Sequence, residues 1–157
     1  VEKIVNKHAY FDYEILEDYE AGLVLRGYEV KSLRRGAASL RGARAVFKHL
    51  PGGGEELWLV GMQINPYEFA RNEDYDPLRS RKILLSTTEM ERIKSKLSTK
   101  GLTLVPLECY NKGDWIKVKI GLARGKKQYE KREIEKKRET DQMIQRSLKN
   151  RVSGRIN

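Results

Sequence analysis

A chain of 157 residues with 39% apolar and 34% charged residues has material for one modest core and an extension, and not for two cores. Its formal net charge of +10 and pI of about 9.7 favour a polyanionic partner, nucleic acid ahead of an anionic membrane surface. The single cysteine, Cys109, excludes an intrachain disulfide and suits a reducing, cytoplasmic setting, while no apolar run long enough to span a membrane and no signal-peptide pattern is found.

Residues 8–25 interleave aromatic and β-branched side chains with polar ones and are interrupted at Gly22, which predicts a strand, a turn near residues 20–22 and a short second strand. In GYEVKSLRRG, Val30 and Leu33 lie at i, i+3 between Gly27 and Gly36, the pattern of a short helix. Residues 43–50 and 56–64 read as a hairpin about Pro51 and three glycines. Those glycines lie between strands with no helix following, so they make a hairpin tip and not a phosphate loop. Residues 65–82 form a polar loop carrying aromatics. Ser86-Thr-Thr-Glu89 has the form of a capping box, followed by Met90, Ile93 and Leu97 at helical spacing and closed by Gly101. Residues 102–110 and 115–122 make the clearest hairpin, with NKGD as its turn. In its second strand Ile116, Val118, Ile120 and Leu122 share an inward face, and Trp115, Lys117 and Lys119 share the other.

This pattern predicts a mainly β fold with short helices. The natural candidate is an oligonucleotide-binding-type antiparallel β-barrel over residues 1–123, followed by a basic C-terminal tail over residues 124–157. The charge is divided in the same way: 12 Lys/Arg stand against 5 Asp/Glu in residues 124–157, and 20 against 17 in residues 1–123. Helix formers dominate from Tyr129 to Lys149, but Tyr129, Ile134, Met143, Ile144 and Leu148 make a thin apolar stripe. Such a tail is expected to be disordered when free and helical when bound.

The chemistry-bearing residues point to binding and not to catalysis. His8 and His49 lie far apart and there is one cysteine, so no zinc pattern can be written, and no hydrolase or metalloprotease motif occurs. No metal, cofactor or small-molecule substrate is implied. The segment Gly121-Leu-Ala-Arg-Gly125-Lys126-Lys127 approaches a nucleotide phosphate loop but has glycine spacing one residue short and Lys127 where a hydroxyl should ligate magnesium. It reads instead as a glycine-rich basic turn that could approach an RNA backbone, with a solvated charge run as the competing reading. Arg79, Arg81 and Lys82 place three cations within four residues of the loop, suited to phosphate. Tyr67, Phe69 and Tyr75 suit stacking on bases, although core packing is the commoner fate of such rings. Glu29, among Tyr28, Lys31 and Arg34, is equally suited to pairing with a cation or to accepting bonds from base amino groups.

Several segments together, GLVLRGYEVKSLRRG, DPLRSRKILL, KVKIGLARGKKQYEKR and the lysine-rich tail, resemble the small protein B family of bacteria, the SsrA-binding proteins that bind transfer-messenger RNA. The resemblance runs from about residue 6 to residue 150. It implies an oligonucleotide-binding-type barrel and a role in trans-translation. The protein would bind the transfer-RNA-like domain of transfer-messenger RNA and help deliver it to the empty A site of stalled ribosomes. The tail would enter the decoding centre and vacant message channel and become helical there. The partners implied are transfer-messenger RNA and ribosomal RNA. The resemblance further implies that Glu29 helps hold the RNA. It places Lys31, Arg34, Arg79, Arg81, Lys117 and Lys119 on the family's basic positions, and Gly125, Lys126 and Lys127 on its glycine–lysine–lysine turn. Tyr129, Glu130, Lys131 and Arg132 fall on the start of the decoding-centre tail, Glu130 standing where the family's motif usually has aspartate. Thr140 replaces the tail tryptophan of some members, leaving Ile144 and Leu148 for the apolar contact. Two other readings remain beside this one. The first is a ribosomal or ribosome-assembly protein whose basic tail threads into ribosomal RNA. The second is an RNA-processing enzyme, which would need a catalytic constellation that the sequence does not display.

Overall fold

The computed structural model describes residues 3–70, 73–99 and 101–154 and divides into two units, Val1–Gly125 and Lys126–Asn157. The expected loop residues Arg71 and Asn72, and the expected tail residues 155–157, lie outside the described residues.

The first unit begins with β1 (Ile4–Val5) and α1 (Lys7–Asp12). Asn6 caps α1, its Oδ1 accepting from the Ala9 N–H at 3.2 Å while its Nδ2 donates to the Pro106 carbonyl at 2.9 Å. Next comes β2 (Tyr13–Leu23), a single strand of 11 residues, where the sequence predicted strand, turn and strand from residue 8. Gly22 is no turn. It pairs with Lys117 on one side and with Leu84 on the other, at the point where β2 passes from one neighbouring strand to the next. A shift in register between Ile15 and Glu17 bends the strand.

Next come α2 (Gly27–Arg34), β3 (Ala38–Ser39) and the expected hairpin of β4 (Arg44–His49) and β5 (Glu55–Val60). Gly52, Gly53 and Gly54 turn this hairpin at φ of 83°, 104° and 89°, which glycine adopts without strain. The expected second strand stops early. At Gly61 (φ 83°) the chain leaves the hairpin, and β6 (Gln63–Ile64) pairs with β3 in a separate two-stranded sheet. Arg81 and Lys82, read from sequence as loop, begin β7 (Arg81–Leu84). The helix α3 (Thr87–Leu97) starts as predicted, the Ser86 hydroxyl accepting from the Glu89 N–H at 3.2 Å. The last hairpin, β8 (Leu102–Lys112) and β9 (Trp115–Gly125), is longer than the sequence suggested. Gly121 to Gly125 therefore lie in a strand and not in a basic turn. A Cβ at Gly121 would fall 2.9 Å from Leu107 Cδ1 and 3.2 Å from Ile15 Cγ2, so this glycine makes room for packing.

Seven strands form one antiparallel sheet in the order β1-β8-β9-β2-β7-β5-β4. The closed barrel expected from the sequence is not formed, because the ladder ends at β1 and β4. The sheet folds back until β4 nears β8, but β1 already pairs with β8 at Glu108 and Cys109. A continuous core lies inside, with Leu33 of α2, Leu57 and Leu59 of β5, Ile83 of β7, Ile93 of α3, and Val118 and Ile120 of β9 all buried. Each is worth roughly 1.5–3 kcal/mol of hydrophobic burial. The predicted inward face of β9 is the one observed, since Ile116, Val118, Ile120 and Leu122 are buried. Ala9, Val105, Leu107 and Ala123 pack as a smaller cluster on the opposite face.

Among the described residues, the second unit is one helix, α4 (Gln128–Gly154). It covers the stretch where helix formers dominate. Tyr129, Met143, Ile144 and Leu148 are all exposed on it, and the Thr140 hydroxyl donates back to the Lys136 carbonyl at 2.9 Å. Among the described residues, no helix is long and apolar enough to cross a membrane.

Candidate nucleic-acid interface

The helix α2 is held from beneath by a buried carboxylate. Glu29 and Leu33 lie one helical turn apart, on the face that meets the core, and both are fully buried. The Glu29 carboxylate accepts from the Arg26 backbone N–H at 2.9 Å, closing the first turn of the helix. It also accepts from Arg81 Nε at 2.7 Å and from Arg79 Nη2. Arg81 shares a face of β7 with the buried Ile83 and so points inward. Its remaining nitrogens donate to the Met62 carbonyl at 2.7 Å, the Tyr75 hydroxyl at 3.1 Å and the Pro77 carbonyl at 3.1 Å. Tyr75 in turn donates to the Ile64 carbonyl at 2.8 Å and meets Tyr28 edge-to-face at 5.2 Å between ring centres. One carboxylate and one guanidinium thereby tie α2, β6, β7 and the loop before β7 together. Burial alone pushes the Glu29 carboxyl up, but the Arg79 side chain, the Arg26 N–H and Arg81 together outweigh it and hold it below the usual carboxylate range.

This knot corrects part of the sequence reading. Glu29 and Arg81 have no exposed surface, and their polar atoms are spent on each other, on Arg79 and Tyr75, and on the backbone. Neither can touch an RNA in this conformation, so both are positioning residues. Tyr75 is likewise committed to the knot and is not a free stacking ring. Arg79 keeps 27% of its side chain exposed, although its Nε is buried and, among the described residues, without a partner. It is the member of the group that can still reach outward.

The outer side of α2 is different. Lys31, Arg34 and Arg35 are exposed there, and among the described residues neither Lys31 nor Arg34 takes part in an ion pair. Arg34 Nε lies 3.4 Å from Asn111 Oδ1 near the tip of the β8–β9 hairpin. Arg35 did not figure among the residues singled out from the sequence, although the Arg34-Arg35 pair at the end of α2 was the signal for it. Its guanidinium lies 4.9 Å from the Tyr67 ring and 5.3 Å from the Phe69 ring.

The other predicted cations are spread over the sheet and partly neutralised. Lys82 pairs with Glu56 at 3.0 Å. Lys119 lies 3.7 Å from Glu108, which Lys3 also reaches at 3.2 Å. Lys117 is half-buried opposite Tyr110. The Tyr110 hydroxyl and Lys112, with a smaller contribution from Lys117, hold the nearby Glu20 carboxyl below the usual range. Trp115, on the same face, is 72% exposed. Gly125 ends β9 with open space about it. Lys126 is half-buried and Lys127 exposed, and the Lys127 carbonyl accepts from the Glu130 N–H at 3.0 Å and the Lys131 N–H at 3.3 Å as α4 begins. On that helix Arg132 is exposed, and Thr140, Met143, Ile144, Ser147 and Leu148 line one shallow groove. Cys109 is buried, and burial pushes its thiol up to about 12, so it is an inert core residue. Among the described residues, no group of three or more His, Cys, Asp or Glu side chains is placed to hold a metal ion.

A mainly β protein with an open antiparallel sheet, and a short cationic helix keyed to it through a buried ion pair, is the class that fold and site define. A family model described as SmpB protein matches residues 3–150. An SsrA-binding protein of Carboxydothermus hydrogenoformans is 46% identical over 153 residues, covering 96% of this chain and 99% of the relative. Another, of Gloeobacter violaceus, is 49% identical over 144 residues, covering 92% of this chain and 91% of the relative. A solved structure described as "tmRNA-SmpB: a journey to the center of the bacterial ribosome" matches with a TM-score of 0.65 and 46% identity, over 82% of this chain and 87% of that one. The chain belongs to the SmpB protein family.

Proposed function

We propose that the protein is an SsrA-binding protein of trans-translation, acting by binding RNA and not as an enzyme. The sheet unit binds the transfer-RNA-like domain of transfer-messenger RNA and helps deliver it to the empty A site of a stalled ribosome. The helical second unit occupies the decoding centre and message channel. The observation that carries this reading is the outer face of α2, where Lys31 and Arg34 are held outward, in no ion pair among the described residues, on a helix fixed from below by Glu29, Arg79 and Arg81. Fixed cations of this kind suit structured RNA, which is recognised largely through backbone and shape. The names of the relatives support the same reading. In this reading the curled sheet serves as a partly open barrel of the oligonucleotide-binding type, and the protein works in the cytoplasm. Arg79, Lys82, Lys117, Lys119, Gly125, Lys126 and Lys127 supplement the α2 face along the RNA backbone. Tyr129, Glu130, Lys131 and Arg132 open the tail, and Ile144 and Leu148 give it an apolar contact. The tail orders as α4 when bound. Fixing each residue costs on the order of 1–2 kcal/mol, which charge-assisted contacts with a phosphate-lined channel offset.

The test is a pull-down of the tagged protein from cells, with sequencing of the bound RNA. One dominant RNA with a transfer-RNA-like end is expected. Ribosomal RNA alone, in equal amounts from translating and stalled ribosomes, would instead indicate a structural ribosomal protein. Truncation after Gly125 separates the two tasks: the shortened protein should still bind the transfer-RNA-like domain and should no longer support tagging of stalled chains. Normal tagging by the truncated protein would refute the role given to the tail.

A further inference from the structure

We infer that Phe69, Tyr67 and Arg35 form a stacking platform for an unpaired nucleobase, with Lys31 beside it for the attached phosphate; the inference rests on the RNA binding proposed above. Phe69 is 69% exposed, a large apolar ring left in water on the turn that the Ala70 N–H closes onto the Tyr67 carbonyl at 3.0 Å. It meets Tyr67 edge-on, with ring centres 5.4 Å apart and planes 66° apart. The Arg35 guanidinium lies against both rings, and Glu68, between them in sequence, pairs with it at 3.0 Å. That pairing matters for the chemistry of the occupant. With its charge answered by Glu68, Arg35 is poorly suited to capture a phosphate. What it still offers is a flat, weakly hydrated surface continuous with two aromatic rings. Lys31 Nζ lies 5.4 Å from the Tyr67 ring centre and is in no ion pair among the described residues, so the cation left for a phosphate stands at the edge of the platform. A flat surface with one available cation at its rim fits a base turned out of a loop or bulge, with its sugar and phosphate following over the rim. A base stacked inside a duplex offers no face to it.

The platform is anchored without occupying its own open ring. Arg35 extends from the end of α2, whose position is set by Glu29 and Arg81. A base seated on Phe69 thus gains contact at little cost in ordering the protein, which is the condition for stacking to add affinity.

The test uses two RNAs, the transfer-RNA-like domain of transfer-messenger RNA with its unpaired loops and a perfect duplex of equal phosphate number. It compares the unsubstituted protein with F69A, F69W and R35K. Phe69→Ala is expected to weaken binding of the looped RNA by about 5- to 150-fold, to leave the duplex unaffected, and to leave the slope of affinity against salt unchanged. Phe69→Trp should restore binding. Arg35→Lys, which keeps the charge and removes the plane, should fall between. A 2-aminopurine placed at each unpaired position in turn should report one base whose fluorescence change on binding is lost in F69A. Equal losses on both RNAs, or looped-RNA binding by F69A at unsubstituted strength, would overturn the inference and leave the RNA-binding reading standing. Failure of the unsubstituted protein to bind either RNA would remove both.

Discussion

The buried knot beneath α2 makes a sharp prediction. Glu29→Gln preserves volume and one acceptor oxygen but replaces the other with an amide that donates. An amide nitrogen would then face Arg81 Nε, now 2.7 Å from a carboxylate oxygen, donor against donor. Arg81 is fully buried, and its other bonds go to two carbonyls and a hydroxyl, so its charge would lose its counter-ion. Removing one partner of a buried pair costs about 3–5 kcal/mol. That is a large share of the roughly 5–15 kcal/mol that holds an ordinary domain folded. In a unit of this size it corresponds to a fall in melting temperature of about 10–20 °C. Urea unfolding followed by circular dichroism and by tryptophan fluorescence measures it. The second half of the experiment replaces the pair together: in E29Q/R81M the isolated buried charge is gone, and the double variant should be more stable than E29Q alone. Loss of less than about 1 kcal/mol in E29Q, or a double variant as unstable as the sum of the two single ones, would show that the knot is not a coupled buried pair.

Further predictions concern charge, acid and packing. Lys31→Glu and Arg34→Glu, at exposed positions, should change stability by less than about 0.5 kcal/mol while weakening RNA binding. Each should also lower the slope of log affinity against log salt by about 0.7–0.9 if it removes a phosphate contact, and titrations between low and moderate salt would show an unchanged slope if it does not. The Glu29 carboxyl lies below its ordinary value of 4.5 in the folded protein. Its contribution is therefore fully present above that ordinary value and is lost as pH falls through the lower folded one. Urea midpoints should accordingly drop on the acid side of about pH 4.5, less steeply in E29Q, and equal slopes for the two proteins would exclude Glu29 as a source of the acid sensitivity. Gly121→Val would drive a branched side chain into Leu107 and Ile15 and should cost about 1–3 kcal/mol; an unaltered unfolding midpoint would mean the neighbours yield freely.

How much of this was legible depends on the range of the signal. The inward face of β9 and the cap of α3 follow from neighbours in sequence, and both appear where the pattern put them. The hairpin tip at Pro51 follows equally from its three glycines. Gly22 and Gly121 misled for a common reason. A glycine can serve a turn or a close approach, and the contacts with Leu84 and Leu107 that decide it lie far along the chain. The open edge of the sheet was out of reach in the same way, since it depends on β1 pairing with β8 across more than 100 residues. The knot was half visible. Glu29 shares a helical face with Leu33, and Arg81 a strand face with Ile83, so both could have been placed inward by periodicity alone. An inward carboxylate and an inward guanidinium in one small core must then pair. Reading Arg81 as one of three loop cations hid this, because the count of charges ignored the alternation of the strand.

The same distinction bears on what basic charge accomplishes here. In the sheet unit many cations already answer a carboxylate: Arg79 and Arg81 with Glu29, Lys82 with Glu56, Lys94 with Glu55, Lys96 with Glu17, Lys119 with Glu108. Net charge is thus a poor guide to where this unit meets a polyanion. Position and pairing are better guides, and they are what the proposed function rests on at α2, whose outward cations lie on the face opposite the buried pair. A cation on a fixed helix spares the cost of ordering backbone when a phosphate arrives and leaves only that of its own side chain. The second unit follows the opposite rule. Its charge is dense, and Tyr129, Met143, Ile144 and Leu148 lie exposed on its helix, the pattern of a helix that gains from an outside surface. In the proposed function, recognition by a prearranged surface and ordering by an outside channel are different physical tasks, and the division of charge between residues 1–123 and 124–157 would let one chain carry both.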